Sequence, residues 1–125
     1  MNVVDSSGWI EYAADGENAG FFRRPIRDAE NLLVPSVCLY EVFKIVLREF
    51  GEETALEVAG QMSSGTIIDL DRQLAIDAAK ISNDLKLAMA DSIILATARL
   101  HNAALWTQDA HFESMDGVKY IEKKA

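Results

Sequence analysis

Five short apolar segments, none longer than five residues, are separated by longer stretches of helical periodicity, and this alternation constrains the fold more than any other feature. The strands read as Val3-Val4, Leu32–Pro35, Thr66–Leu70, Ala104–Thr107 and an edge-like Val118–Ile121. Between them the spacing predicts helices over Trp9–Ala14, Arg24–Glu30, Val37–Phe50 with Ser36 as N-cap, Glu52–Met62, Arg72–Leu85 and Ala88–His101. Gly51, the Ser63-Ser64-Gly65 turn and a C-capping Asn102 punctuate them, and Ala14–Asn18 reads as a polar loop. Strands alternating with helices imply an α/β fold: one domain over residues 1–125, a central mainly parallel β-sheet with helices on both faces. In such sheets ligands collect beyond the carboxyl ends of the strands, so chemistry is expected there.

The chain has 125 residues, which fits one domain under a soft prior of roughly 150 residues per domain. Half of the residues are hydrophobic, so a sizeable core is within reach and wholesale disorder is excluded. No apolar run approaches the roughly 18 residues that a membrane helix needs, and the N-terminus lacks the pattern of a secretory leader. With Cys38 as the single cysteine, the expectation is a soluble, cytoplasmic protein without an intrachain disulfide and with no membrane association.

Net charge is −8, with −6 carried by residues 1–62 and −2 by residues 63–125. That balance speaks against a general electrostatic grip on nucleic acid. It leaves room for a nucleic-acid site built on cations, since a bound cation reverses the local sign. The Walker phosphate loop, G-x-G-x-x-G, G-x-S-x-G and H-E-x-x-H are all missing from the sequence. Two histidines and one cysteine are too few for zinc chemistry of the nitrogen and sulfur kind. What remains is carboxylate chemistry.

Four acids fall where the fold rule looks for a site. Asp5 follows the first strand and Asp109 follows the Leu105-Trp106-Thr107 strand. Asp91 is the only acid in the apolar Leu87–His101 stretch, and Glu41 sits in the strongly apolar helix Val37–Phe50. Converging carboxylates are what hard cations such as Mg2+ or Mn2+ require. Each acid also has a plainer reading. Asp5 and Asp109 are plausible helix caps or turn residues, and Glu41 shares a helical stripe with Lys44 and Arg48. Asp91 resists such a reading, because an acid in so apolar a helix must be capped, paired or metal-bound.

The blocks Val3-Val4-Asp5-Ser6-Ser7, Val34-Pro35-Ser36 with Glu41, Ala90-Asp91-Ser92-Ile93-Ile94-Leu95-Ala96-Thr97-Ala98, and Trp106-Thr107-Gln108-Asp109-Ala110-His111-Phe112 resemble the successive motifs of PIN-domain nucleases. Size and block order are similar to VapC-type toxins of prokaryotic toxin–antitoxin systems. The resemblance implies a Mg2+- or Mn2+-dependent ribonuclease with catalytic and metal-holding acids at Asp5, Glu41, Asp91 and Asp109. Thr107 and Ser6 or Ser7, of which Ser7 is preferred, match small hydroxyl residues of such pockets. His111 and Phe112 match too, although a turn histidine and a core aromatic are the default for these types. The resemblance also implies a small antitoxin that presents Arg or Lys to the acidic site, and a homodimer or higher oligomer.

Contacts to the RNA backbone would fall to Arg23, Arg24, Arg27, Lys44, Arg48 and Lys86, although scattered basic residues are more often plain surface. Phe21 and Phe22 beside the arginines, with Tyr40 and Phe43, are candidates for self-association, with core burial the alternative. Two other readings compete. One is a different metal-dependent phosphohydrolase, against which Ser7 counts because a nucleophilic-aspartate phosphatase places a second Asp there. The same objection, at Ser6, meets a receiver-like domain. The other is a PIN-like binding module without catalysis, for which nothing structural would require all four acids.

Overall fold

A computed structural model describes residues 1–124, so the last position of the expected 1–125 domain lies outside the described residues. The elements follow in the order β1 (Asn2–Val4), α1 (Ser6–Ala13), α2 (Ala19–Arg27), β2 (Leu32–Pro35), α3 (Ser36–Phe50), α4 (Glu52–Ser63), β3 (Thr66–Ile68), α5 (Arg72–Leu85), α6 (Met89–Leu100), β4 (Ala104–Thr107) and β5 (Val118–Tyr120), with 3-10 turns at Ala29–Asn31 and Ala110–Phe112. The sheet order is β3-β2-β1-β4-β5, and every pairing is parallel. The α/β architecture expected from the alternation is therefore present.

This order contains a topological switch. From β1 the chain moves outward on one side to β2 and β3, then returns to lay β4 and β5 on the other. The crevice of an open parallel sheet lies where the direction reverses, between the carboxyl ends of β1 and β4. Register fixes what meets there: Val3 lies opposite Leu105 and Val4 opposite Trp106, and the Asp5 N–H donates to the Trp106 carbonyl at 3.1 Å. Asp5 and Thr107 thus leave the sheet side by side.

The core that holds this crevice rigid consists of Val3, Val4, Leu33, Val34 and Leu105 from the strands, covered by Trp9, Phe22, Val42, Met62 and Leu95 from the helices. A smaller cluster of Leu74, Ala78, Ile93 and Ala96 joins α5 to α6. Gly8 is a point of close approach. A Cβ there would lie 2.6 Å from the Phe22 ring and 2.7 Å from Val4 Cγ1, so only glycine lets α1 pack this tightly beside the site.

Several local expectations are corrected. Helix α1 starts at Ser6 rather than Trp9, because the Asp5 carboxylate caps it by accepting from the Gly8 N–H. The helix expected over Arg24–Glu30 is α2, displaced toward the N-terminus: its buried stripe of Ala19, Phe22, Pro25 and Ile26 outweighs the cost of an interior proline. Ser36 is the first helical residue of α3 and not its cap; Pro35, extended at φ −60° and ψ 135°, takes that position. The third strand stops at Ile68, leaving Asp69 and Leu70 to the turn before Asp71 caps α5. The fifth strand ends one residue early, at Tyr120.

The end of α6 is a Schellman motif: Asn102 is left-handed at φ 50°, Ala103 N–H bonds the Ala98 carbonyl and Asn102 N–H the Arg99 carbonyl. Asn102 is therefore one position beyond the capping His101. Phe22 is fully buried and Phe21 stacks 5.0 Å from the Trp106 ring, which removes Phe22 as an interface anchor. Tyr40 takes the opposite course and is 63% exposed.

Candidate active site

The floor of the crevice is Asp5, only 2% exposed and bonded at both carboxylate oxygens. Ser7 Oγ donates to Oδ1 at 2.7 Å and Gly8 N–H to the same oxygen at 3.0 Å. Thr107 Oγ1 donates to Oδ2 at 2.6 Å, and the same hydroxyl accepts from the Asp109 N–H at 2.8 Å. One threonine therefore ties the carboxyl ends of β1 and β4 together. Burial pushes the Asp5 pKa from 3.8 to about 6, against the three donors that lower it, and the charge of Asp109 adds to the rise.

The rim is more open. Asp91, in the first turn of α6, Asp109 and His111 each aim a ligand atom into a space where these atoms lie within 4.8 Å of one another. His111 Nδ1 is 3.2 Å from Asp109 Oδ1 and 4.0 Å from Asp91 Oδ2, and the His111 N–H donates to Asp109 Oδ1 at 2.9 Å. Partial burial raises the Asp91 pKa first, then the charges of Asp109 and Glu41, with His111 opposing. Glu41 belongs to the same electrostatic group and is oriented by Ser6 Oγ, which donates to Oε1 at 2.6 Å. Its expected helical partners turn elsewhere: Arg48 pairs with Glu49 at 3.1 Å and Lys44 lies 5.8 Å over the Tyr40 ring.

Among the described residues no lysine or arginine pairs with Asp5, Glu41, Asp91 or Asp109. Acids that repel one another in a half-buried crevice without a basic partner are a donor set suited to a hard divalent cation. The fit rests on that chemistry: the carboxylate oxygens of Asp91 and Asp109 and one imidazole nitrogen of His111 form the close group, while Asp5 and Glu41 lie outside it and are coupled to it by charge. Cys38 beneath the site is no nucleophile, since burial pushes its thiol up and it is bonded to Ser6 Oγ at 3.5 Å and the Val4 carbonyl at 3.6 Å.

Of the residues singled out in the sequence, Asp5, Ser7, Thr107 and Asp109 form one hydrogen-bonded unit, with Asp91 and Glu41 facing it electrostatically. Arg24, Arg27, Lys44, Arg48 and Lys86 are exposed and Arg23 is half-buried, and among the described residues none of them forms an ion pair with this unit. His111, which matches the resemblance but reads by default as a turn residue, belongs to the rim. Two participants were not foreseen. Asn18 and Gln108, both nearly buried, join through an Asn18 Nδ2 to Gln108 Oε1 bond of 2.9 Å. Cavity size is no guide here. A space of about 560 Å³ at the opposite, amino end of the sheet, lined by Ala98, Asn102, Ala104 and Gly117, exceeds the 380 Å³ beside Asp109.

An all-parallel α/β domain that gathers acids at its switch point defines a class to which the sequence can be compared. Residues 3–118 match the profile of the PIN domain, and the chain belongs to the PIN-domain family. Among solved structures it is similar to a toxin–antitoxin complex from Klebsiella pneumoniae (21% identity, TM-score 0.78, covering 95% of this chain and 96% of that one). It is also similar to VapC20 of Mycobacterium tuberculosis, described as a toxin that cleaves the sarcin–ricin loop (16% identity, TM-score 0.77, 91% and 94%). DNA-bound VapBC of Salmonella typhimurium gives 19% identity and a TM-score of 0.74 over 98% and 97%. Curated proteins yield no significant sequence match.

Proposed function

We propose that the chain, as one catalytic domain over residues 1–125, is a Mg2+- or Mn2+-dependent endoribonuclease. It would act as the cytoplasmic toxin of a type II toxin–antitoxin module. The observation that carries this reading is the convergence of Asp91, Asp109 and His111 within 4.8 Å above the buried Asp5, at the switch point of a PIN domain. Fold likeness to toxins supports the biological setting, and no helix among the described residues is long and apolar enough to cross a membrane.

Asp5, Asp91 and Asp109, with Glu41 behind them, are the residues to hold the cation. Bound there, it would supply positive charge against the charge that develops on the phosphate during hydrolysis. The chain's own part is positional. Thr107 and Ser7 fix the Asp5 carboxylate, and Ser6 fixes Glu41. Asp91, whose oxygens carry no donor among the described residues shorter than the 4.0 Å contact to His111, is the acid best able to accept the proton of an attacking water.

Arg23, Arg24, Arg27, Lys44 and Arg48 remain candidates for holding the RNA backbone. A small antitoxin finds support in an apolar cavity of about 550 Å³ along α3 and α4, lined by Leu39, Tyr40, Phe43 and Leu47 on the helix that carries Glu41. The −8 net charge favours a partner that brings Arg or Lys to the acids. For self-association into a homodimer or higher oligomer, Tyr40 is the exposed candidate, and Phe21 and Phe43 are half-buried.

The test is cleavage of a structured RNA by purified protein with Mg2+, with Mn2+ and with excess chelator. Cutting that needs the cation and disappears in Asp91→Asn supports the reading. Equal cutting with chelator refutes the dependence on a cation, and no cutting by a folded protein freed of its partner refutes the nuclease reading and favours a binding module.

A further inference from the structure

Beside Asp109 lies a cavity of about 380 Å³, walled by Ser7, Gln108, Asp109, Tyr120, Glu122 and Lys123. That volume lies within the range of small-ligand clefts. Its wall contains a side chain whose polarity is dictated by a chain of hydrogen bonds. The Glu122 carbonyl can only accept, so the atom of Asn18 that bonds it at 3.0 Å must be the amide nitrogen Nδ2. The same nitrogen also bonds Gln108 at 2.9 Å, so Gln108 must present its oxygen, Oε1, to Asn18. Gln108 Nε2 is thereby the opposite end of the amide, on a residue that lines the cleft.

Gln108 is 6% exposed and its amide nitrogen has no protein acceptor among the described residues. Nor is that nitrogen sealed off, since Trp9 Nε1 is the one fully enclosed side-chain donor or acceptor among the described residues that lacks a partner. An amide donor held rigid, nearly buried and unspent in the wall of a cleft next to the acids is a built recognition group. The same cleft is also lined by Glu122, Tyr120 and Lys123, residues that carry a carboxylate, an aromatic ring and a cation.

We propose that this cleft receives the base of the nucleotide next to the scissile phosphate, and that Gln108 selects a keto base, guanine or uracil, over adenine or cytosine. The inference rests on the ribonuclease reading of the neighbouring acids. Keto bases pair a carbonyl oxygen with an adjacent ring N–H. The carbonyl accepts from Gln108 Nε2 and the N–H donates to the Glu122 carboxylate, while Tyr120 supplies a stacking surface. Adenine and cytosine place an amino group where the carbonyl must be, donor against donor. Paired adenine recognition by a glutamine needs its oxygen as well as its nitrogen, and here the oxygen is held by Asn18.

The experiment has two arms. In the first, the full chain labelled with 15N is titrated, with Mg2+ present, with the 5′-monophosphates of guanosine, uridine, adenosine and cytidine. The Gln108 side-chain amide signals are identified by their loss in Gln108→Met. Shifts of these signals with the guanosine and uridine nucleotides, at affinities about tenfold above the other two, support the proposal. Equal or absent shifts overturn it. In the second arm, RNA of random sequence is cut and the ends are sequenced. Gln108→Glu keeps the acceptor for Asn18 and replaces the other end of the amide, a donor, by an acceptor, so the preference for guanine and uracil should be lost. It does not reverse, because the ring nitrogens of adenine and cytosine would still face the Glu122 carboxylate as acceptors. A merely structural Gln108 would slow cutting without abolishing the preference, and that outcome overturns the proposal. The first arm needs no cleavage. An inactive protein therefore defeats the ribonuclease reading alone, whereas an active one blind to the base defeats only this one.

Discussion

The floor and the rim of the acidic crevice are built on opposite terms. Asp5 on the floor is buried and receives hydrogen bonds from Thr107, Ser7 and Gly8, each of which favours its charged form. Asp91 on the rim is half-buried and faces Asp109 and Glu41, like charges that oppose its ionisation. The floor is thus pre-organised by covalent neighbours and by the sheet. The rim is an arrangement of mutual repulsion that His111 offsets in part and an added positive charge would relieve. Rigid placement and unrelieved charge, divided between the two levels, are what a cation site of high selectivity for position requires.

The largest expected effect strikes both levels alike. Asp5→Asn and Asp91→Asn should each lower RNA cleavage by at least about a thousandfold, with an unchanged circular dichroism spectrum, because amide and carboxylate are nearly isosteric. Gel assays under single-turnover conditions measure this. A floor variant that keeps more than about a tenth of the activity would break the comparison, reducing Asp5 to a helix cap for α1.

Stability without metal should separate the levels. The Asp5 pKa is raised from 3.8 to about 6, so protonation favours the folded state. The associated stability is fully present below pH 3.8 and is lost as the pH rises through about 6. A shift of this size is on the order of 3 kcal/mol, part of which other acids offset on acidification. In chelator, thermal melts should therefore show the wild type more stable at pH 5.5 than at pH 7.5. Asp5→Asn should be more stable than wild type at pH 7.5 by about 1 kcal/mol and should vary less across that window, keeping the contribution of the raised Asp91. A melting temperature that falls on acidification would contradict the burial of an ionised Asp5.

How far these two levels could be read from the chain depends on the range of the interactions. The strands and the floor were legible because short apolar runs place Asp5 and Asp109 directly after β1 and β4, and a cap motif is local. Asp91 stood out as an acid in an apolar helix. Asn18 and Gln108 did not, since their bond joins residues 90 positions apart and neither residue type is informative alone. His111 was hidden by its exposed turn, where a histidine has many ordinary reasons to occur. The start of α2 was misplaced for a related reason: Phe21 and Phe22 are adjacent, and only the packing of Phe22 under Gly8 decides which one faces inward.

Cation binding gives a smaller effect, and one confined to the rim in its sign. At a Mg2+ concentration of about 100 times Kd, the wild type should gain about 2.7 kcal/mol. Asp109→Asn should abolish most of that gain while raising stability in chelator, because it removes a charge facing Asp91. Differential scanning fluorimetry with and without the ion reads both. Were Asp109→Asn less stable than wild type in chelator, its bonds to His111 would outweigh the repulsion, and the rim would be held by hydrogen bonds as the floor is.

The smallest effect concerns the one nitrogen at the rim. His111 Nδ1 lies 3.2 Å from Asp109 Oδ1, yet its side chain is 74% exposed, so it either lends a ligand atom or merely leans on the carboxylate. The two roles differ in how they treat cations. Mg2+ prefers oxygen donors and keeps its waters, whereas Mn2+ accepts imidazole more readily. If His111 is a ligand, His111→Ala should weaken Mn2+ binding by about threefold more than Mg2+ binding, since only one of the two ions uses the nitrogen. If it acts through Asp109 alone, both affinities should change by the same factor. Isothermal titration of each ion into the wild type and the variant decides between an all-oxygen rim and a mixed one. The loss of a single exposed donor should leave the hydrogen bonds of the Asp5 floor unmoved.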